Sequence, residues 1–401
     1  MIDNLKDKIQ TESERNPIMK IAFDALPLIS ERMTGIGYCQ AGQIQALMAL
    51  HPEEQYVMQF FAAGDGGEKR KRLRGYEEAR AEIRQGRCSG YLYRLVSNFL
   101  PVPYQMFFGK DADVTHFFNY IVPPKVHGKT IVTVHDMVYK AFPETVRGRT
   151  RFMLETGLKR SMKRADLIVT DSEFSRTEII KYFPEQAEKL RVVPCGVDRT
   201  RFHRVENQEL IEETKKKLRI DRDYFLYLGT LEPRKNLRRL AVAYDAFRRG
   251  KSEYPALVLA GGKGWLNDEL MNTIRELKLS EDILQLSYVP EEYIRPLMSG
   301  ALSFVFPSIY EGFGMPPLEA MACGVPVLTT RAASLPEVVG DSALICDPYD
   351  PAQMTDCLER LYHDSKLRQE LGEAGLKRAR MFSWENAAAA LYDVYKEALD
   401  G

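Results

Sequence analysis

The sequence contains no long apolar run and no close pair of cysteines, which argues against a membrane-spanning protein and against a cysteine-based zinc or redox site. No stretch approaches the length of a membrane span, and the N-terminal "MIDNLKDKIQTESERNP" lacks the apolar centre of a signal peptide. The six cysteines are scattered singly, without CxxC or zinc-ligand spacing, at positions 39, 88, 195, 323, 346 and 357. We therefore expect a soluble, cytoplasmic protein whose cysteines are reduced.

The chain also lacks an excess of charge of either sign. Lysine plus arginine and aspartate plus glutamate number 56 each, so binding to nucleic acid is not indicated. The six histidines form no dense cluster that would indicate a metal site. Core material is plentiful, because 45% of the 401 residues are hydrophobic, which suffices for two domains of ordinary size.

Short apolar runs alternate with helical stretches from residue 18 onward. Many runs are apolar throughout, as in strands buried on both faces of a parallel sheet. One series comprises residues 18–25, 55–61, 113–118, 130–134, 166–170 and 191–194, and a second comprises 224–229, 256–261, 283–288, 302–306, 326–330 and 343–346. The two series predict an α/β protein with two doubly wound, Rossmann-like domains facing a cleft, with ligands at the carboxyl ends of the strands.

The domain boundary is predicted near "CGVDRTRF" (195–202), where a strand ends and a polar segment begins. Residues 1–17 are expected to form a flexible N-terminal extension. Residues 18–195 and 196–383 are then the two domains.

The stretch "PSIYEGFGMPPLEAMACGVPVL" (307–328) holds two glutamates, Glu311 and Glu319, eight positions apart. The intervening glycines favour a loop, and the proline pair fits a helix only in its first turn. We predict that Glu311 lies in a tight loop and Glu319 about one turn inside a short helix that Gly324 ends. Taken alone, Glu319 is equally compatible with an acid that merely complements a helix N-terminus.

The stretch "YFLYLGTLEPRKNLRRL" places Arg234 and Lys235 between a predicted strand and a predicted helix. Asn236 is predicted to cap that helix. Two cations beside a helix N-terminus can hold a phosphate or a diphosphate. A solvated basic pair balanced by Glu232 is an equally simple alternative.

Two further stretches follow predicted strands. "TIVTVHD" places His135 and Asp136 directly after a buried strand, where a histidine can donate to a sugar hydroxyl or act in acid/base chemistry; the alternative is a pair that only satisfies a loop. "TGIGY" is predicted as a loop in which Gly35 and Gly37 let the backbone approach a ligand, the alternative being an ordinary turn before a helix.

A cationic stretch and an apolar one are adjacent in the first half of the chain. "EKRKRLRG" (68–75) is strongly basic, and "GYLYRLVSNFLPVPYQMFFG" (90–109) is rich in aromatic and aliphatic residues. A membrane-peripheral surface has this combination. A solvated helix beside core residues is the preferred explanation at this point.

Together these segments resemble glycosyltransferase family 4, the retaining sugar-nucleotide transferases with the GT-B fold, from about Lys20 to Ala387. The EGFG-P-LEA-A-G-PV frame resembles the family's pair of glutamates separated by seven residues, and "LGTLEPRKNL" resembles its donor-phosphate segment. "GIGY", "VTVHD", "ADLIVTDSEFSR", "VVPCGVD" and "FSWENAA" follow in the family's order. Within the family, "TGIG", "TVHD" and "GTLEPRKN" most resemble mannosyltransferases of bacterial surface-polysaccharide assembly.

The resemblance implies a role for each matching residue. Glu319 would bind the ribose hydroxyls of the nucleotide. Glu311 and His135 would contact the transferred sugar. Arg234 and Lys235 would hold the diphosphate, and these four residues form the expected catalytic set. The other expected donor-binding positions are Gly35, Gly37, Asp136, Gly229, Thr230, Val289, Gly312, Phe313, Gly314 and Met315. Thr230 stands where many relatives have an arginine, and Val289 stands where relatives meet the base through the backbone.

The resemblance also implies the reaction and its partners. A hexose, expected to be mannose from GDP-mannose, would pass to a glycan or a polyprenyl-diphosphate-linked acceptor in polysaccharide biosynthesis. No cofactor and no metal ion are expected, since cationic side chains and helix N-termini can stabilise the leaving diphosphate. The first domain, residues 18–195, would be on the acceptor side, and the second, residues 196–383, would bind the nucleotide sugar. The final helix, residues 384–401, would pack back on the first domain, and the protein would lie on the inner face of the cell membrane.

Four alternatives to this function are considered. A sugar-nucleotide epimerase can share the two-domain architecture, and a transferase of the same family can use a UDP-sugar. A catalytically silent nucleotide-binding module is disfavoured by the joint presence of both glutamates, both cations and His135. A retaining glycosidase would also use two carboxylates, but the phosphate-binding type of segment argues against hydrolysis.

Overall fold

The computed structural model describes residues 18–31, 33–262, 264 and 268–401, so the extension predicted at 1–17 lies outside the described residues. The strands are β1 Lys20–Asp24, β2 Gln55–Phe61, β3 Glu82–Gly86, β4 Val114–Phe117, β5 Lys129–Thr133, β6 Leu167–Thr170, β7 Leu190–Val192, β8 Tyr224–Leu228, β9 Ala256–Ala260, β10 Ile283–Leu286, β11 Ser303–Phe306, β12 Val327–Thr330 and β13 Leu344–Cys346.

Helices connect most of these strands. The α-helices are α1 Gly35–Leu50, α2 Gly67–Arg72, α3 Arg74–Glu78, α4 Gly90–Ser97, α5 Gln105–Phe108, α6 Val138–Ala141, α7 Gly148–Arg164, α8 Glu173–Tyr182, α9 Gln208–Lys217, α10 Leu237–Arg248, α11 Asp268–Glu276, α12 Glu291–Ser299, α13 Met315–Ala322, α14 Leu335–Val339, α15 Pro351–His363, α16 Ser365–Ala379 and α17 Trp384–Asp400. Short 3₁₀ turns cover Pro143–Thr145, Pro184–Lys189 and Pro233–Lys235.

The strands form two sheets whose described pairings are parallel. The first has the order β3-β2-β1-β4-β5-β6-β7, and the second has the order β10-β9-β8-β11-β12-β13. Strand β9 (ALVLA) is buried at all five positions, as its uniformly apolar sequence predicts. The predicted α/β fold with two Rossmann-like parallel sheets is therefore confirmed.

Strand β3 is the one strand of the described residues that the sequence pattern missed. Its sequence, EIRQG, is polar, and it lies at the edge of the first sheet, paired with β2. Charged residues are common on edge strands because they discourage pairing with a second molecule. The cationic stretch 68–75 precedes this strand and lies in two short helices, α2 and α3, and not in one solvated helix.

Packing divides the chain into two compact units. One contains the described residues up to Thr133 together with Arg160–Leu167 and Tyr392–Gly401; the other contains Val134–Lys159 and Ile168–Leu391. In the first unit, the end of α17 packs beside the sheet, because the Tyr395 hydroxyl lies 2.7 Å from His116 Nδ1 and the Tyr392 hydroxyl donates to Glu54 at 2.6 Å. The domain boundary near residue 195 stays a prediction.

Among the described residues, no helix combines the length and the apolar character needed to cross a membrane.

Candidate active site

In the second unit, three charged side chains meet where the strand order of the second sheet reverses. Strands β8 and β11 are neighbours there, and the chain continues outward from each of them in opposite directions. The loop after β8 carries Arg234 and Lys235, and the loop after β11 carries Glu311. Ligands of open α/β sheets bind at this kind of reversal, at the carboxyl ends of the strands.

Glu311 is bonded to both cations. Its Oε1 accepts from Lys235 Nζ at 2.6 Å, and its Oε2 accepts from Arg234 Nη1 at 2.9 Å. The Ser308 hydroxyl donates to Oε1 at 2.5 Å. Glu311 and Lys235 are buried, and the Lys235 ammonium also lies 4.8 Å from the centre of the Phe306 ring. The predicted loop position of Glu311 is confirmed, and the arrangement joins two segments 76 residues apart.

Burial and pairing compete in setting the charge states of this cluster. Burial opposes ionisation of Glu311, but Arg234 and Lys235 outweigh it and hold the pKa of Glu311 at about 2. Burial and the charge of Arg234 lower the pKa of Lys235, against the attraction of Glu311. Glu311 is therefore a carboxylate at neutral pH, and it supplies the counter-charge to buried Lys235 and, together with Glu232, to Arg234.

Asn236 holds the cationic segment in place by a route different from the predicted one. It precedes α10, but its backbone is left-handed (φ 60°), and its side-chain amide donates to the carbonyls of Pro307 at 3.0 Å and Pro348 at 2.7 Å. The prediction of a capping side chain is wrong, because those two carbonyls compete successfully for the amide. Asn236 instead ties the loop after β8 to the loops after β11 and β13.

Serine hydroxyls hold three successive carbonyls of the loop before α13. The hydrogen bonds run from Ser334 to Glu311 (3.0 Å) and Phe313 (2.6 Å), and from Ser172 (2.6 Å) and Ser175 (3.0 Å) to Gly312. Because N–H and C=O of a trans peptide point in opposite directions, the N–H groups of residues 312 and 314 point away from Ser334, and that of residue 313 points away from Ser172 and Ser175. With the start of α13 at Met315, they form a candidate anion-binding surface.

Two glycines of this loop are required by its geometry. A Cβ atom on Gly312 would lie 2.4 Å from the carbonyl oxygen of His135, and Gly314 has φ +115°. A larger residue at either position would displace the loop or strain it. The loop containing Glu311 is therefore packed directly against the segment that follows β5.

His135 pairs with Asp171 and not with its neighbour Asp136. Its Nδ1 lies 2.6 Å from Asp171 Oδ2, and both residues are buried. Asp171 directly follows β6, which lies next to β5 in the sheet. Asp136 accepts from the Val138 amide at 3.0 Å, and burial raises its pKa. The idea of a His135–Asp136 pair is corrected, because successive residues of an extended chain point in different directions.

Tyr310 links the Glu311 loop to the segment after His135. Its hydroxyl accepts from the Met137 amide at 3.0 Å, and its ring meets the edges of Phe142 and Phe174 at 5.5 Å between ring centres. The carboxylate and the histidine are thus held by the same packed segment.

Glu319 lies on α13, as predicted, but in a different electrostatic environment. It is half-buried, and burial raises its pKa to about 7; Arg201 opposes this effect and Glu291 reinforces it. Arg201 is itself paired with Glu291, with 2.7 Å between Nη2 and Oε2. A carboxyl near its titration point can accept hydrogen bonds from hydroxyl groups once it is ionised.

We expect Glu319 to make folding less favourable as the pH rises from about 4.5 to about 7. Between these two pH values the carboxyl is ionised in the unfolded chain and protonated in the folded one. The contribution of Glu319 to stability therefore falls as the pH rises, and it stays constant above about pH 7. In Glu319→Gln this contribution is removed. The thermal midpoint of the variant minus that of the wild type should therefore increase as the pH is raised across this interval. Glu292→Gln, a change at an exposed glutamate, is the control and should show a constant difference; a constant difference for Glu319→Gln too would refute the assignment.

Four further residues of the second unit are predicted to bind the donor. Gly229 directly follows β8, and its N–H donates to the Ala260 carbonyl at 2.9 Å. Thr230 is exposed, and its carbonyl accepts from the Tyr227 hydroxyl at 2.9 Å. Val289 is buried between β10 and α12, and Phe313 meets the Phe382 ring edge-on at 5.7 Å. Their roles toward a ligand stay predictions.

Gly35 and Gly37 belong to the first unit and differ from the prediction. Helix α1 begins at Gly35, so both lie in its first turn and not in a loop. A Cβ atom on Gly37 would lie 3.2 Å from the Pro27 carbonyl, which gives that glycine a packing reason. The helix begins early because Thr34 is extended and the following residues tolerate helical angles.

Asp171 and the serines at 172, 175, 308 and 334 were not singled out from the sequence. Asp171 and Ser172 follow a buried strand directly, which is the same signal that indicated His135. Ser175 and Ser334 have no local signal, because the carbonyls that accept from them are distant in sequence.

Two protein-family models match the chain. The family model described as "Glycosyl transferases group 1" matches residues 210–378, and the one described as "Glycosyltransferase Family 4" matches residues 50–201. The O-antigen chain mannosyltransferase B of Escherichia coli is 36% identical over 285 residues, which cover 71% of this chain and 74% of that protein.

More distant similarity extends across the fold. The serotype-specific mannosyltransferase WbdA of Escherichia coli is 27% identical over 263 residues, which cover 65% of this chain and 32% of that longer protein. The structure of sucrose-phosphate synthase from Thermosynechococcus elongatus superimposes with a TM-score of 0.73 at 19% identity, covering 94% of this chain and 98% of the other. The structural match supports the two-domain fold of glycosyltransferases, GT-B.

Proposed function

The chain belongs to the glycosyltransferases of group 1 and family 4, and we propose that it transfers mannose from GDP-mannose, with retention, to a glycan acceptor in surface-polysaccharide synthesis. The transferase class follows from the family. The sugar is proposed because the two relatives described above are mannosyltransferases. Membership in this family disfavours the epimerase alternative, and a UDP-sugar donor is the outcome that the experiment below distinguishes.

The observation that carries the proposal is the contact of Glu311 with Arg234 and Lys235 at the reversal of the second sheet. Two cations bonded to Glu311, the residue directly before the N–H groups of residues 312–314, match the charge of a nucleoside diphosphate. We propose that the diphosphate takes over part of the pairing that Glu311 provides here. Glu311 would then face the transferred sugar.

The chemistry requires stabilisation of a leaving group. When the bond between the sugar C1 and the diphosphate oxygen breaks, its electron pair stays on that oxygen. Arg234 and Lys235 would meet this charge with groups already in position, and fixed donors of this kind commonly provide the largest catalytic term. Glu311, ionised at neutral pH, would face the positive charge that develops on the sugar ring.

The other predicted residues complete the proposed donor site. His135, oriented by Asp171, would bond a sugar hydroxyl through its other ring nitrogen. Glu319 would accept from both ribose hydroxyls. We also propose that turnover needs no divalent cation, because the two side-chain cations supply the positive charge that a metal ion supplies in other transferases.

The donor is tested with nucleotide sugars in buffer containing EDTA. GDP and GDP-mannose should raise the thermal midpoint, since a ligand that binds the native state stabilises it, while UDP and UDP-glucose should not. Transfer of mannose to lipid-linked glycan should proceed at the same rate with and without EDTA. Stabilisation by UDP-sugars alone would replace the donor assignment, and rescue of an EDTA-inactivated enzyme by manganese would refute the metal-independent mechanism.

We further propose that the enzyme works at an anionic membrane surface on the cytoplasmic side, where its acceptor is anchored. Large apolar side chains are exposed close together in sequence on α4, α5 and the turn between them, namely Leu92, Phe99, Leu100 and Met106. Arg160 adds a cation beside them, because its guanidinium donates to the carbonyl of Asn98. Apolar tips beside cations favour binding to anionic lipid.

Cosedimentation with vesicles tests this proposal. The wild type should bind vesicles that contain both phosphatidylglycerol and phosphatidylcholine, and it should bind vesicles of phosphatidylcholine alone more weakly. Changing Phe99 and Leu100 together to serine should weaken binding by about tenfold or more, because two apolar side chains no longer enter the lipid. Leu50→Ser, at an exposed leucine of α1, is the control. Equal binding of the double variant and wild type would contradict the proposed surface.

A further inference from the structure

The first unit contains a cavity of about 410 Å³ that the donor chemistry does not use. Its lining includes Asp24, the last residue of β1, and Phe61, the last residue of β2. It therefore lies at the carboxyl ends of two parallel strands, where this class of sheet binds ligands. Its volume is within the range of small-molecule sites.

A buried ion pair forms part of the cavity wall. The Arg94 guanidinium donates to Asp24 Oδ2, and the two residues are only 8% and 2% exposed. Such a pair is weak evidence for stability, because apolar residues of similar volume often stabilise a protein as well. At a cavity wall, however, it presents carboxylate acceptors and guanidinium donors side by side. Adjacent hydroxyl groups of a sugar ring need this combination.

The charge of the cavity favours a neutral ligand over a phosphate. Asp24 compensates Arg94, and the ammonium of Lys69, the other lining cation, donates to the Phe61 carbonyl at 3.0 Å. A diphosphate placed here would lie against the Asp24 carboxylate. Sugar hydroxyls can bond with the carboxylate and both cations without that repulsion.

An aromatic ring completes the lining. Tyr91, in the first turn of α4, lines the cavity and is 43% exposed, so its ring can cover the apolar C–H face of a sugar. We propose that this cavity binds a sugar ring of the acceptor glycan, an inference that rests on the transferase function proposed above. The residues that read the sugar are Asp24, Arg94 and Tyr91.

The test uses a soluble acceptor, a mannobiose glycoside with a short alkyl chain and no phosphate. Tyr91→Ala and Asp24→Asn should raise the acceptor KM by about tenfold or more, since each removes a contact to the sugar. The donor KM and the affinity for GDP should keep wild-type values. Leu50→Ala changes an apolar side chain of the same unit that is exposed to the same extent as Tyr91 but is not among the cavity-lining residues, and it should leave the acceptor KM unchanged.

Binding of the same glycoside without donor, followed by saturation-transfer NMR, separates this inference from the proposed function. If the glycoside binds and Tyr91→Ala weakens it while GDP-mannose is not used, the cavity assignment holds and the donor assignment fails. If both variants keep the wild-type acceptor KM and NMR signal while transfer proceeds, the cavity assignment is overturned. Displacement of the glycoside by inorganic diphosphate would also overturn it. Tyr91 is at the surface, so its variant remains informative should Asp24→Asn fold poorly.

Discussion

Replacing Glu311 with glutamine is expected to lower kcat by about a hundredfold or more, while the affinity for free GDP stays unchanged or increases. The carboxylate would face positive charge that develops on the sugar only during transfer, so its loss falls on the transition state. GDP lacks the sugar. It would meet Arg234 and Lys235 with less competition, because glutamine cannot pair with them as an ion. Steady-state kinetics and calorimetry with GDP are the measurements.

Glu232→Gln is the matched control for this variant. Glu232 also pairs with Arg234, with 3.2 Å between Oε2 and Nε, but it is partly exposed, whereas Glu311 is buried. Its removal should change kcat by less than about threefold. A Glu311→Gln variant that loses GDP affinity and keeps kcat would mean that Glu311 serves the nucleotide and not the sugar.

Lys235→Met is expected to weaken GDP and GDP-mannose binding by about ten- to a hundredfold, because one charge-assisted phosphate contact is lost. It should also lower stability at neutral pH, since buried Glu311 then keeps one cationic partner of two. Glu311 has its pKa below the ordinary 4.5, so it stabilises the fold above pH 4.5, and that contribution is lost as the pH falls through about 2. In the variant the pKa of Glu311 rises toward 4.5, so this contribution is smaller and its acid-induced loss is complete at a higher pH.

Lys251→Met provides a closely matched comparison. Lys251 also pairs with a carboxylate, Glu359 at 2.6 Å, and lies 4.4 Å from the centre of the Phe247 ring, outside the candidate site. It should affect stability but not nucleotide affinity, as calorimetry and thermal melts at several pH values can establish. Equal GDP affinities for Lys235→Met and the wild type would rule out the diphosphate assignment.

Local signals predicted the parts of the site that depend on local backbone chemistry. Glycines and a proline pair place Glu311 in a loop and Glu319 in a helix, and both positions are confirmed. The partner of His135 depends on the adjacency of β5 and β6, which no local pattern reveals, so Asp171 was missed. Asn236 has the residue type of a cap, but two distant carbonyls determine where its amide points. Strand β3 was missed because an edge strand can be polar.

The serine hydroxyls that hold the carbonyls of residues 311–313 affect when the loop becomes ordered. These serines are fully buried, so their hydrogen bonds form together with the core of the second unit. The conformational entropy of the loop is therefore lost once, during folding, and not again in each catalytic cycle. A donor molecule meets N–H groups that already have their direction, and its binding energy remains available for the sugar.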